Sequence, residues 1–342
     1  MLETVTRQDE GTIPAEGQAP SGAEDALAAA EPGHGRAAHS PAQFGHRAWK
    51  DVLVRTYNEV MEDRITTVGG GIAFYSLLAL FPAVAALVSL YGLVADIKTI
   101  SSHLAALAFL LPPSAFSIVE DQIGRILAQG EAQLSLKFAF GLAISIWSAN
   151  AGMRAMIDGL NVAYEEQEKR SYLRVTLLSL GLTAAALIAL LAVIGLSTVL
   201  PQLFDADPAT QSRLTLARWP AMLVLLAVGL AVLHRYGPSR MEPRWRWVSF
   251  GSIFAVLMIM AISAALTWYM TNLTDYNKTY GSLGAAVALM TWMWLSACAV
   301  LVGAELNAEL EHQTARDSTV GPDKPLGRRG ATMADTIGAR AS

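Results

Sequence analysis

A stripe of polar and charged side chains runs along one of the long apolar segments of this sequence. The stripe consists of Trp147, Asn150, Arg154, Asp158 and Asn161, which follow one another at steps of three, four, four and three. At about 100° per residue, these positions share one face of a helix. Arg154 and Asp158 stand at i and i+4 and can form an ion pair. The stripe predicts a polar seam that receives a headgroup or another anion. The alternative is a helix end whose arginine reaches the interface and pairs with the aspartate.

Two carboxylates close the last apolar segment. Glu305 and Glu309 are one helical turn apart, and such a pair could hold a cation or act as acid and base. Glu305 directly follows a Gly-Ala pair, which favours a position against a neighbouring helix in an ion pair with Arg154 or Arg174. Solvated helix ends are the alternative. We expect a structural ion pair and no catalysis here.

Six long apolar segments must position these groups. A hydrocarbon core of about 30 Å is crossed by about 20 apolar helical residues. The composition agrees, because 53% of the residues are hydrophobic and 16% are charged, whereas about 25% are charged in ordinary soluble domains. We therefore predict an all-α, polytopic membrane protein with six transmembrane helices. The segments are 69–94, 138–159, 175–203, 219–233, 248–270 and 283–304.

Glycine and proline mark sites where these helices are expected to pack or bend. Small residues let helices approach closely, and a proline inside a span removes a backbone donor and kinks the helix. The first span opens with three glycines and has a proline at mid-depth, and two glycines stand at the entrance to the sixth. The residues are Gly69, Gly70, Gly71, Pro82, Gly281 and Gly284.

Basic residues in the connecting segments predict the orientation. Lys and Arg are concentrated before the first span, between the second and third, and between the fourth and fifth, while the alternate loops are poorer. By the positive-inside rule both termini are cytoplasmic. Residues 1–45 and 313–342 are predicted to be disordered cytoplasmic tails around a membrane domain at 46–312.

Two segments outside the six spans predict surface helices. Residues 47–67 alternate apolar and charged side chains at helical spacing, as in a helix that lies on a membrane. In the long loop after the first span, Ser101–Leu111 is apolar but too short to span, and both a surface-lying and a re-entrant position fit it. An amphipathic face follows, made of Phe116, Val119, Ile123, Ile126 and Leu127.

Composition and spacing also argue against several functions. A net charge of −4 gives no general attraction for nucleic acid. The six histidines are scattered along the chain and the single cysteine, Cys298, lies in an apolar segment, so no metal site or cofactor is expected. No titratable side chain stands near the middle of a span, which argues against a pump that carries protons on side chains.

Four short motifs together resemble the YihY/BrkB family of bacterial inner-membrane proteins, over roughly residues 45–312. They are the GIAFY run at 71–75, Asn161 with Tyr164, the Tyr-Gly pair at 280–281 and the GAELN run at 303–307. The chain departs from the family pattern at 248–252, where a Pro-Gly-Ala-like entry to the fifth span is usual. The resemblance implies a six-span inner-membrane protein and adds Tyr164 to the candidate site. Family members have been labelled a ribonuclease, a serum-resistance factor and a candidate exporter of lipids.

The leading hypothesis is that the protein moves or handles a lipid or lipid-linked amphiphile between leaflets. The rival hypothesis is a scaffold that transports nothing and organises envelope assembly. Membrane lipids are the expected partners, with a further copy of the chain or envelope-assembly proteins as the others, and neither nucleic acid nor nuclease activity is expected. The candidate substrate-binding residues are Asn150, Arg154, Asp158, Asn161, Tyr164 and Glu305.

Overall fold

The computed structural model describes residues 31–92, 99–100, 113–128, 136–198, 208–272 and 284–341. Over these residues the chain is helical, and extended backbone pairs only in an isolated bridge between Pro243 and Thr319. The predicted all-α class is therefore confirmed for the described residues. The helices are α1 His46–Glu62, α2 Ile65–Tyr91, α3 Pro113–Ala128, α4 Leu136–Ala163, α5 Tyr172–Thr198, α6 Pro208–Tyr236, α7 Trp245–Asn272, α8 Gly284–His312 and α9 Thr332–Asp335.

Four of these helices are long and apolar enough to cross a membrane. They are α2, α7 and α8 over their whole length and α5 over Tyr172–Ala192. Helix α6 has a shorter apolar part, Pro220–Tyr236, and α4 carries the polar stripe. The chain is thus an integral membrane protein. The predicted second and fourth crossings lie within α4 and α6 and stay predictions.

Hydrogen bonds join distant parts of the chain at one end of the bundle. Arg36 donates to the carbonyl of Gln313 at 3.2 Å, and the backbone N–H of Lys169 donates to Ser239 Oγ at 2.9 Å. Both pairs join segments that lie beyond helix ends, so these segments form a layer over the bundle. We call this layer the charged end; it comprises residues 31–64, 164–171, 236–244 and 313–341.

The C-terminal segment differs from the predicted disordered tail. Residues 313–341 fold back over this end of the helix bundle, and Met333 and Ala334 in α9 are buried there. The guanidinium of Arg329 donates to the carbonyls of Ala315 and Ala334, which closes the segment on itself. Composition predicts disorder because the segment is too polar to form its own core. Here it needs none, because it packs on a surface that the helices provide. Of the predicted N-terminal tail, residues 31–45 are also described, and Phe44 among them is buried.

Helix α1 presents two different faces. Ala48 and Val52 are fully buried in a cluster with Trp247 of α7 and Leu310 of α8, whereas Leu53, Tyr57 and Met61 are more than half exposed. The exposed residues recur every four positions and form one apolar stripe. This arrangement is the one expected of a helix that lies on a membrane surface.

Helix α3 packs at the opposite end of the bundle, against α2. Its predicted apolar face, at 116–127, joins the hydrophobic cluster that contains Tyr91 of α2 and Met222 of α6. The helix begins at Pro113, the second of two consecutive prolines. The preceding segment Ser101–Leu111 lies outside the described residues.

Close helix approaches occur at a few glycines only. A Cβ atom added to Gly69 would lie 2.6 Å from Cys298 Sγ, so α2 and α8 meet there. Gly70 and Gly71 have no neighbour within 4 Å of such an atom, contrary to the predicted packing role. Helix α2 continues through Pro82 to Tyr91. Gly284 is buried, and Gly281 lies outside the described residues.

The closest approach joins α7 to α8, where the sequence analysis assigns no packing role. A Cβ atom at Gly303 would lie 2.5 Å from the carbonyl oxygen of Gly251, and one at Gly251 would collide with the carbonyl of Gly303. Only the absence of both side chains permits this contact.

Candidate functional site

The polar stripe of α4 does not act as one unit in the structure. Asn150 is buried, with its side-chain oxygen unpaired, whereas Trp147 is 59% exposed and Asp158 is exposed. Arg154 and Asp158 form no ion pair, so that expectation is wrong. Arg154 donates instead to Thr176 Oγ1 on α5 at 3.2 Å.

Arg154 interacts with two side chains of helix α5 and forms no ion pair within its own helix. The guanidinium lies over the ring of Tyr172, 4.5 Å from its centre, while Thr176 one turn later accepts its hydrogen bond. A guanidinium above an aromatic face is attracted by the ring's electron density. The residue therefore joins α4 to α5 near the start of α5.

Asn161 and Tyr164 lie at the charged end, where they join two loops. Asn161 accepts a hydrogen bond from the backbone N–H of Ser239 at 2.7 Å and donates to Glu168 at 3.1 Å. Tyr164 is fully buried, and its ring lies 4.8 Å below the guanidinium of Arg240. Both residues thereby fix the loop at 236–244 against the loop at 164–171.

A cavity of about 480 Å³ opens between these two loops. We call it the basic cavity, because Lys169, Arg170, Arg235 and Arg240 line it, and Glu242 is the one acidic residue in the described lining. Leu178 of α5 forms its membrane-side edge. In the sequence these basic residues indicate only the orientation of the chain, because their positions do not reveal that the two loops converge.

Three of the four cations pair with carboxylates that lie outside the cavity. Lys169 pairs with Glu166 at 2.7 Å, and Arg170 pairs with Glu168 at 2.7 Å. The hydrogen bonds from Arg170 lower the pKa of Glu168 to about 2. These ion pairs hold the cationic side chains at the rim of the cavity.

The third ion pair, between Arg240 and Glu311, is completely buried. The two groups are 2.6 Å apart, and neither side chain is exposed to solvent. Burial alone would lower the pKa of Arg240, but Glu311, Tyr164 and Glu166 together outweigh it and raise the pKa. Removing either partner of such a buried pair would leave a costly isolated charge.

Arg235 is the exception among the four. It is 8% exposed, and within the described part of the chain no carboxylate forms an ion pair with it. Its guanidinium donates to the carbonyl of Pro243 at 2.6 Å and lies 4.5 Å from the ring centre of Trp245. One of its nitrogens, Nε, has no hydrogen-bond partner. Arg235 is therefore a buried positive charge without a matching negative one.

Apolar cavities lie deeper in the bundle, below the basic cavity. One of about 390 Å³ lies between α5 and α6, and the lining residues that the structure describes have no polar side chain. Another of about 330 Å³ lies between α2, α4 and α5. Met153, Ala186 and Leu233 line both, so the two are neighbours. We call the larger one the apolar cavity.

The basic and apolar cavities follow the same pair of helices. Leu178 lines the first and Leu182, one turn deeper on α5, lines the second. On α6, Tyr236 lines the first and Leu233 the second. A molecule with a charged head and an apolar tail would find matching surfaces along this path.

Glu305 lies in a different place from the one expected. It is 1% exposed and hydrogen-bonds to Asp63, at the turn between α1 and α2, and it pairs with neither Arg154 nor Arg174. The residue one turn later, Glu309, pairs with Arg55 of α1. Helix α1 packs over the end of α8, so these carboxylates interact with residues of α1 and of the turn that follows it. Spacing within the sequence does not reveal this contact.

Carboxylates from α1 and the loop after α4 surround this site. Burial, with the nearby charge of Glu309, raises the pKa of Glu59 to about 7. Burial likewise raises the pKa of Asp63 and of Glu165. In this region, proton binding at neutral pH is therefore easier than for ordinary carboxylates.

A buried polar network joins α6, α7 and α8. The Nε2–H of His234 donates to the carbonyl of Val300 at 3.1 Å, which leaves Nδ1 to accept from Asn307 at 3.2 Å. The side-chain oxygen of Asn307 accepts from the N–H of Gly251 at 2.8 Å. Helical spacing does not predict this network. The one hint in the sequence was the GAELN run, because its last residue is Asn307.

The histidines occupy separate places. His34 hydrogen-bonds to Asp51, His234 belongs to the network above, and His312 lies 3.4 Å from Glu309. Within the residues that the structure describes, no group of His, Cys, Asp or Glu is arranged to hold a metal ion. His103 lies outside them.

Comparison with known proteins gives a consistent result. YfkH of Bacillus subtilis, which carries the provisional name ribonuclease-like protein, is 31% identical over 247 residues, 70% of this chain and 87% of its own length. A UPF0761 membrane protein of Haemophilus influenzae is 21% identical over 78% of this chain and 95% of its own. One from Pseudoalteromonas atlantica is 24% identical over 78% and 89%.

No solved structure matches the chain. The family model described as virulence factor BrkB matches residues 56–326, which include the six long helices and much of the charged end. This match confirms the resemblance found in the sequence motifs. The chain therefore belongs to the BrkB family of membrane proteins.

Proposed function

We propose that this protein moves a membrane amphiphile between leaflets, and that the apolar cavity between α5 and α6 holds the tail of that molecule. The observation that carries the proposal is the cavity itself, whose described lining residues have no polar side chain although it lies beside charged loops. Ala186 and Val228 line it and are exposed on the outer surface of the bundle. In a bilayer they face hydrocarbon, so that a lipid tail can enter sideways.

The proposal includes six crossings with the charged end in the cytoplasm. Helices α4, α6 and α8 end at the charged end, and α2, α5 and α7 begin there, so each connection returns the chain to the same side. The charged end collects the arginine-rich loops, which the positive-inside rule assigns to the cytoplasm. Both termini then lie in the cytoplasm of the bacterial inner membrane.

The predicted candidate residues take different roles in this proposal. Arg154 holds α4 to α5 beside the cavities, and Asp158 is accessible to a passing headgroup. Asn161 and Tyr164 position the loops around the basic cavity. Glu305 belongs to the contact between α1 and α8 and stands apart from the path.

A transport assay tests the proposal. The purified protein is reconstituted into vesicles with a fluorescent phospholipid, and a membrane-impermeant quencher reports how fast the inner-leaflet label becomes accessible. We expect faster exchange than in empty vesicles. Ala186→Trp should abolish the gain because the indole fills the cavity.

Ile188→Trp is the matched control. Ile188 lies on the same helix, is 61% exposed and lines neither apolar cavity, so this variant should exchange lipid at the wild-type rate. Exchange no faster than in empty vesicles would overturn the proposal and favour the rival, a scaffold for envelope assembly.

We do not extend the ribonuclease-like name of YfkH to this chain. His34, His234 and His312 are engaged in separate contacts, and a metal-dependent nuclease needs ligands gathered around one or two ions. Metal-dependent RNA cleavage by the purified protein, lost in His234→Ala and His312→Ala, would contradict this.

A further inference from the structure

We propose that the basic cavity is a binding site for the phosphate of an anionic lipid headgroup. The inference rests on the proposed function, because it assigns the head of the molecule whose tail occupies the apolar cavity. Phosphate is the shared chemistry of a lipid headgroup and of a free phosphate ester, and the experiment below separates these two sources.

The first argument is the charge of Arg235. A guanidinium that is 8% exposed and has no carboxylate in an ion pair with it carries a large desolvation cost. The rings of Trp245 and Tyr236, 4.5 and 5.3 Å from its Cζ, offset part of this cost. They leave the net charge in place, and an anion in the cavity would neutralise it.

The second argument is where the carboxylates lie. Glu166, Glu168 and Glu311 pair with the other three cations, yet none of them lines the cavity. A bound anion would therefore meet guanidinium and ammonium groups, with the carboxylates behind them. Glu242 is the one acidic lining residue among those described.

The third argument is position. The cavity lies directly above the apolar cavity on α5 and α6; Tyr236 lines it, and Trp245 lies against the lining residue Arg235. Tyrosine and tryptophan are enriched at the level of lipid headgroups. Basic pockets between membrane helices on the cytoplasmic side bind phosphate-bearing headgroups. A volume of about 480 Å³ accommodates such a group.

Lipid binding to the full-length protein tests the inference. Phosphatidylglycerol or phosphatidylcholine is titrated into the detergent-solubilised protein, and native mass spectrometry counts the bound lipids. We expect phosphatidylglycerol to bind about tenfold more tightly, because both lipids carry the phosphate but the cationic lining repels the choline cation of phosphatidylcholine.

Three variants and a control locate the site. Arg235→Gln should remove the preference for phosphatidylglycerol, and Lys169→Gln, at a side chain that is 61% exposed, should reduce it about threefold. Glu242→Gln should strengthen binding by a similar factor, because it removes the one repulsive charge. Arg244→Gln, in the same loop but outside the cavity and paired with Asp323, should change nothing.

Glycerol phosphate in the buffer distinguishes the sources. If glycerol phosphate displaces phosphatidylglycerol, the site binds phosphate from either source. If phosphatidylglycerol stays bound, the site requires the lipid. Equal binding of both lipids, unchanged in Glu242→Gln and Lys169→Gln, would overturn the inference and leave the proposed function standing. Failure to bind either lipid would count against both.

Discussion

Two helix pairs in this protein pack in opposite ways. At the α7–α8 contact the backbones touch at Gly251 and Gly303, and a buried hydrogen-bond network lies beside them. At the α5–α6 contact the same type of helix leaves an apolar cavity of about 390 Å³. Membrane helices have no hydrophobic drive to close such a gap when lipid can fill it. We infer that α7 and α8 are the rigid part of the bundle and that α5 and α6 frame the site.

The largest effect should come from adding one methyl group to the tight pair. Gly251→Ala places a Cβ atom against the carbonyl of Gly303, and overpacking at a backbone contact should cost about 3 kcal/mol or more. Thermal unfolding of the protein in detergent measures the loss. Gly229→Ala is the matched control, because it lines the apolar cavity and has no neighbour within 4 Å of the new atom. It should stay within about 1 kcal/mol of the wild type. Equal losses in both variants would contradict the comparison.

The next effect concerns the polar network beside that contact. Asn307→Leu removes the hydrogen bonds to His234 and to the N–H of Gly251, and an unpaired buried group should cost about 2 kcal/mol. The same unfolding assay reports it. Asn272→Leu, at an exposed position near the end of α7, should have little effect. A stable Asn307→Leu protein would show that shape alone holds the rigid pair.

These two predictions show where sequence reasoning stops. Gly251 and Gly303 are far apart in sequence, and no periodicity within a helix reveals that they meet. By contrast, the apolar face of α3 follows from helical spacing alone, and the structure confirms it.

The candidate site was predicted only in part, for the same reason. Spacing places Arg154 and Asp158 on one helical face, but it does not show that Tyr172 and Thr176 of α5 offer Arg154 a competing contact. The basic cavity forms between two loops. Taken alone, the basic residues of each loop indicate only the side of the membrane on which it lies. The C-terminal segment has too few apolar residues for its own core, and composition does not show the surface on which it packs.

The stability of the protein should depend on pH through Glu59, a residue of the charged end. The pKa of Glu59 is raised from its ordinary 4.5 to about 7 in the folded protein, so ionisation disfavours the folded state. Stability should fall as the pH rises from about 4.5 to 7. Glu59→Gln should flatten this dependence, measured as the unfolding midpoint at several pH values, with the exposed Glu62→Gln as control. The pKa of Glu168, lowered to about 2, contributes its change below this window. A slope unchanged in Glu59→Gln would contradict the assignment.

The smallest effect should come from the contact that holds α4 to α5. Arg154→Gln removes one cation–ring contact and should cost about 1 kcal/mol. Lipid exchange should slow by less than in Ala186→Trp, because the cavity itself stays open. Exchange abolished in Arg154→Gln, with folding intact, would instead make Arg154 a headgroup ligand, as the polar stripe suggested.

Occupancy of the apolar cavity by a lipid tail is the most direct test of this account. A phospholipid with a photoreactive group near the middle of its chain is incorporated into vesicles with the protein, irradiated, and the adducts are mapped by mass spectrometry. We predict adducts at Leu182, Leu226 and Leu233, which line the cavity, and their loss in Ala186→Trp. Adducts confined to outward-facing residues such as Leu177 and Ile188, and unchanged in that variant, would contradict it.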